Sequence, residues 1–185
     1  TLHKPILVSE LDQEDFGADV SFVGTYEKER AQSLILLAQQ GVSVRVWGNG
    51  WSGLKSKFLN LLIEDRPVYD DEYIKVICAS KINLCFLRKE NRDLQTCRSI
   101  EIPACGGFML HERNDEMLNI LAENKEAAYF SNDQELVDQC KKWMAIEQVR
   151  KAIAAHGHAR VTSESFSHAK RLQEILNATL KIGAA

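Results

Sequence analysis

Residues 19–50, DVSFVGTYEKERAQSLILLAQQGVSVRVWGNG, decide the fold. Asp19 to Thr25 is a short apolar, β-branched run that ends at Gly24. The stretch from Glu29 to Gln40 then repeats apolar residues at helical spacing and stops at Gly41, in the position where helices end. From Val42 onward Val42, Val44 and Val46 occupy alternate positions, the period of a second strand. Strand, helix, strand in direct succession predicts a parallel pair with a crossover helix.

The same alternation continues outward. Trp51 to Leu62 places Leu54, Phe58, Leu61 and Leu62 at i, i+4, i+7 and i+8, which predicts a helix. Arg66-Pro67-Val68-Tyr69 then reads as a short edge strand, where proline is tolerated. Asp70 and Asp71 open a helix through Ile74, Ile77 and Cys78. INLCFL (82–87), GFMLH (107–111) and AAYF (127–130) are strands four to six, with helices near 95–105 and 115–123 between them. Asn132 and Glu135 start a helical region running towards Ala155. A last helix is expected over 165–181, with Leu172, Ile175, Leu176 and Leu180 in its apolar stripe. The fold class is therefore α/β: a doubly wound parallel sheet of about six strands in the order 3-2-1-4-5-6, with C-terminal helices. Ligands of such sheets bind at the carboxyl ends of the strands near the point where the winding reverses, here between strands one and four.

Bulk properties exclude several classes. A chain of 185 residues with 45% hydrophobic and 26% charged residues is an ordinary globular domain. Its net charge of -3 supplies no general attraction for nucleic acid or anionic membrane. No segment approaches the length of a transmembrane span. The five cysteines form no CxxC pair, which points to reduced thiols and a cytoplasmic location. His156 and His158 are two apart and do not share a helix face, so no metal site is expected. The chain begins at Thr1 rather than Met, which suggests part of a longer protein.

Candidate chemistry gathers at the strand ends. Gly24 and Gly48-Asn49 leave open backbone there, and Arg30 lies in the first turn of the helix after strand one, a ready place for an anion. Asn83 in strand four, Arg88 at its end and Asp93 beyond it approach the same rim. Glu101 stands out most, because a carboxylate inside the apolar stretch RSIEIPACGGFML (98–110) needs a partner. It can accept two hydrogen bonds from a cis-diol, as in ribose recognition. Alternatively it pairs with Arg98 three residues earlier. Asp93 reads equally as a helix cap, Trp51 as core, and His111 and Glu112 as strand-end surface.

Asp93-x7-Glu101 followed by ACGG resembles the acidic pair of the donor-binding domain in GT-B glycosyltransferases of the group 1 type, where Glu is usual at both positions. SFVGTYEKERAQSL, VWGNGW, and RSIEIPACGGFMLHE followed by AAYFSNDQELVDQC are similar to its spore-maturation-protein-like subgroup. The resemblance covers about residues 19–160. It implies a Rossmann-like domain that forms one half of a GT-B fold and uses a nucleotide-diphosphate sugar as donor substrate, with no cofactor and no bound metal. Glu101 would then hold the ribose, Asp93 would orient the sugar in the catalytic role, and Arg30 and Arg88 would bind the diphosphate. Residues 1–18 would form an interdomain connection to a missing N-terminal acceptor domain, and 161–185 the C-terminal helix. The alternatives are a GT-B-like sugar-nucleotide epimerase half and a non-catalytic nucleotide-binding module. A receiver-like module would carry an acidic cluster where Val23-Gly24-Thr25 stands.

Overall fold

Six parallel strands in the order β3-β2-β1-β4-β5-β6 organise the chain. Runs as apolar as these are buried only when helices cover both faces of the sheet. The computed structural model describes residues 3–89, 91–163, 166 and 168–182. Strand β1 (Ala18–Val23) is central, flanked by β2 (Val44–Trp47) and β4 (Ser80–Cys85). Val20 sets the register, opposite Val44 on one side and Ile82 on the other. β3 (Leu61–Ile63) forms one edge, and β5 (Met109–Glu112) and β6 (Ala128–Phe130) complete the other. Class and strand order are those the sequence predicts.

Each face has its own core. Helices α2 (Lys28–Gln39) and α6 (Asp133–Ala145) cover one, where Phe22, Leu34, Leu37, Trp51, Leu136 and Trp143 pack together. Helices α3 (Asp70–Ala79), α4 (Cys97–Ala104) and α5 (Asp115–Ile120) cover the other, around Trp47, Tyr73, Ile77, Ile102, Met109 and Tyr129. α7 (Glu147–Ser163) contributes Ile153 to the first core and Val161 to the second. Leu172, Ile175 and Leu176 of α8 (His168–Ile182) are exposed, and the side chain of Leu180 lies outside those described.

The third strand is a correction. It is formed by Leu61–Ile63, not by Arg66–Tyr69, and only a single 3-10 turn (Ser52–Leu54) stands where the helix was expected. Ser56 adopts a positive φ of 59°, which an α-helix cannot accommodate. Leu61 and Ile63 face inward and Leu62 outward, the alternation of a strand. Their helical spacing with Leu54 and Phe58 arises because those two residues also pack on the first core from the loop. Residues 66–69 stay irregular and give the sheet only the Arg66 carbonyl, which accepts from the Gly48 amide.

The segment expected as a connection carries α1 (Glu10–Phe16), started by a capping box between Ser9 and Asp12. Asp12 also pairs with Lys75 of α3 at 2.8 Å. The Lys75 ammonium, then the Ser9 hydroxyl and amide, hold the Asp12 carboxyl down at about 2 from its usual 3.8. A depressed carboxyl stabilises the fold above its unfolded value and loses that effect as pH falls through the folded one. The difference in urea midpoint between wild type and Asp12→Asn should therefore be full above pH ~5, shrink as pH falls through ~2 and vanish by pH ~1. A difference that stays constant across that window would contradict the assignment.

Candidate functional site

A cavity of about 310 Å³ opens at the carboxyl edge of the sheet, beside the boundary between β1 and β4 where the winding reverses. Its floor is backbone: Gly24 and Thr25 after β1, Gly48 and Asn49 after β2. These two turns are tied together, since the Gly24 amide donates to the Trp47 carbonyl and the Tyr26 amide to the Asn49 carbonyl, both at 2.9 Å. The Trp51 indole N–H donates to the Gly24 carbonyl at 2.8 Å, and its ring is fully buried, so Trp51 is core.

The wall is built by two helices. Tyr69, Asp70 and Tyr73 come from the start of α3, and Arg98 and Glu101 from α4. The Tyr73 hydroxyl donates to Glu101 Oε2 at 3.2 Å. Burial, then the Glu101 charge, pushes the Tyr73 phenol well above its ordinary value, so it keeps its proton and serves as a donor. Among the described residues no ion pair joins Arg98 to Glu101, and Arg98 Nε is buried with no hydrogen-bond partner. The cavity thus presents a half-buried carboxylate, one phenolic donor already on it, and a cation whose hydrogen-bonding capacity is not used.

A buried polar chain fixes the first turn of α4. The Thr96 amide donates to Ser99 Oγ at 3.0 Å, and Ser99 Oγ shares a hydrogen bond with His111 Nε2 at 2.8 Å. A carbonyl only accepts, so the other ring nitrogen, Nδ1, carries a proton and donates to the Glu112 carbonyl at 2.6 Å. His111 is fully buried, which corrects its reading as strand-end surface. It links β5 to the helix that carries Arg98 and Glu101. Glu112 accepts from the Leu87 amide at 3.1 Å and so holds the end of β4 in the same assembly.

Of the residues singled out in the sequence, Gly24, Gly48, Asn49 and Glu101 meet in this cavity. Arg30 does not line it. Its guanidinium is 3% exposed, 3.0 Å from Glu27 and 3.4 Å from the Thr25 carbonyl, and its Nε and Nη2 are buried without partners. Arg88 is half exposed and reaches the same Glu27 oxygen at 3.5 Å. Asp93 lies in the loop before α4, its amide donating to the Arg88 carbonyl at 3.2 Å, away from the cavity wall. Asn83 is spent inside the sheet: it accepts from Ser21 and donates to the Ile77 and Phe108 carbonyls, leaving nothing for a ligand. Tyr69, Asp70 and Thr25 also line the cavity, as do Tyr73 and His3, which sequence reading passes over because contacts distant in the chain place them.

Residues 29–177 match the family model described as glycosyl transferase-like. The chain belongs to this glycosyl transferase-like family. No curated protein sequence matches it. The family member is similar in structure to sucrose-phosphate synthase from Thermosynechococcus elongatus (TM-score 0.71, 13% identity, over 100% of this chain and 51% of that one). It is also similar to Anabaena HepE in complex with UDP and glucose (0.72, 14%, 96% and 53%). A third likeness is to the C-terminal domain of the group 1 family glycosyl transferase LpcC from Francisella tularensis (0.68, 13%, 88% and 95%). At these identities the likeness is one of fold, a GT-B half-domain, and the chain spans about half the length of the first two proteins. All five cysteines of this glycosyl transferase-like chain are free. Among its described residues no group of three or more His, Cys, Asp and Glu could hold a metal ion, and no helix is long and apolar enough to cross a membrane.

Proposed function

We propose that the chain is the donor-binding domain of a glycosyltransferase, with the nucleoside of a nucleotide-diphosphate sugar seated in the 310 Å³ cavity. The observation that carries this reading is Glu101. It is a half-buried carboxylate at the ligand-binding edge of a doubly wound sheet, held by Tyr73 and left unpaired by Arg98. A carboxylate there accepts both hydroxyls of a ribose. Gly24 and Gly48 line the cavity on the side of the sheet, where the ligand would meet main chain.

The diphosphate in this reading lies beyond Thr25, with Arg98 of the cavity wall and the half-exposed Arg88 as its contacts and the buried Arg30 adding its charge without lining the cavity. Positive charge placed there stabilises the leaving diphosphate as the glycosidic bond breaks. Asp93, in the loop ahead of α4, is assigned to orientation of the sugar, with no cofactor or metal required. UDP in the HepE complex makes UDP the first nucleotide to try. The acceptor would be held by a second half, equivalent to the part of the sucrose-phosphate synthase and HepE chains that this chain does not span. Its motifs resemble the spore-maturation-protein-like subgroup, the family resemblance suggests a retaining mechanism, and the scattered cysteines suggest a cytoplasmic location.

Calorimetric titration of UDP, GDP, ADP and dTDP, with metal chelated, tests the reading. One of them should bind saturably, and Glu101→Gln should weaken it by about 1.5–3 kcal/mol, the contribution of a hydrogen bond to a charged group. That corresponds to roughly 10- to 150-fold in affinity. A folded chain that binds none of the four, or a Glu101→Gln variant that binds as wild type does, would reject it.

A further inference from the structure

The segment preceding α1 is not a featureless lead-in. Ile6 and Val8 pack against the second core and the Pro5 ring sits over Gly106, while Leu7 points to solvent. This alternation lays residues 3–9 along α3 and the end of α4 as a strap. Its far end brings His3 into the wall of the cavity. Among the described residues His3 is the only cavity-lining one that precedes β1. Its ring meets Tyr73 edge to face, with centroids 5.7 Å apart and planes at 87°. Tyr73 in turn donates to Glu101. One continuous set of contacts therefore runs from the strap to the carboxylate assigned to the ribose.

We infer that His3 is a nucleoside-binding residue, and that the strap and the bound nucleotide hold each other in place. This rests on the donor reading above and deepens it. A flat ring at the cavity wall gives the nucleoside an extra face to pack on, and the same contact couples the ligand to residues 3–9. A surface segment without regular secondary structure opens locally at lower cost than the sheet it lies on. Anything bound against it must slow that opening, and by linkage the closed strap must tighten binding to the same degree.

The test uses the full chain and whichever of UDP, GDP, ADP and dTDP binds most tightly. Hydrogen exchange of the amides of residues 4–9 is measured with and without that nucleotide, alongside calorimetry of wild type, His3→Ala and His3→Phe. Saturating nucleotide should slow exchange in the strap several-fold. His3→Ala should weaken binding by about two- to tenfold, the range of an aromatic contact, and His3→Phe, which keeps the flat ring, should stay within about twofold of wild type. All three proteins should melt alike without nucleotide. Nucleotide binding that is unchanged in His3→Ala and leaves strap exchange unaltered overturns the inference while the donor reading stands. A His3→Ala variant that melts earlier but binds normally also overturns it, since His3 would then be packing alone. If no nucleotide binds wild type, the donor reading falls and takes this inference with it.

Discussion

Gly48→Ala is expected to cost about 3 kcal/mol or more and to abolish the cavity with it. Gly48 has φ of +139°, and a Cβ there would lie 2.0 Å from the Gly24 carbonyl oxygen. A side chain in that region of backbone space costs roughly 1–3 kcal/mol, and forcing an atom into filled space roughly 1–3 more. The oxygen cannot simply move, because the Gly24 amide is bonded to Trp47 and the carbonyl itself accepts from Trp51. Relief requires the ends of β1 and β2 to part. Gly41→Ala is the control: φ is +82° there too, but nothing lies within 4 Å of the added Cβ, so only the backbone cost of about 1 kcal/mol applies. Urea denaturation should separate the two variants by about 2 kcal/mol, and equal midpoints would show that the contact with Gly24 is not what makes Gly48 special.

Trp51→Ala should cost more still among side-chain truncations, about 3–5 kcal/mol. The ring is fully buried, with Phe22 at 5.9 Å and Tyr26 at 5.2 Å, both edge to face. Its indole N–H supplies the only side-chain hydrogen bond to the Gly24 carbonyl among those described. Trp51→Phe separates the two contributions, since it keeps most of the packing but removes the donor, at about 1–3 kcal/mol for a buried acceptor left unpaired. Equilibrium unfolding of both variants gives the comparison. A Trp51→Ala cost under about 1 kcal/mol would place the ring outside the cooperative core.

The strand order was legible because the pattern that encodes it is local. Val42, Val44 and Val46 alternate, Gly41 ends α2, and parallel strands buried on both faces announce themselves as apolar runs. The third strand was not, because Leu54, Phe58, Leu61 and Leu62 satisfy a helical template while two of them serve a loop and two a strand. What separates these cases is pairing with β2 and the positive φ at Ser56, neither of which periodicity contains. Glu101 was visible as an acid out of place in an apolar stretch. Tyr73 was not, since its role depends on a hydroxyl meeting Glu101 from another helix. The burial of His111 is hidden for the same reason: a histidine at a strand end looks exposed until Ser99 is brought against it.

The Gly24 carbonyl has a consequence for how this site can vary. The floor of the cavity and the junction of β1 with β2 are the same atoms, so a change there alters the shape of the site only by loosening the sheet. The opposite wall is differently held. Tyr69 is 67% exposed at the open end of α3, next to Asp70, whose φ of 46° restricts what can replace it. Substitutions on that side leave the sheet junction untouched. A lineage, or an engineer, seeking a new ligand preference in this scaffold therefore has a tunable side and a frozen one, and the freedom lies with Tyr69 at the head of the helix.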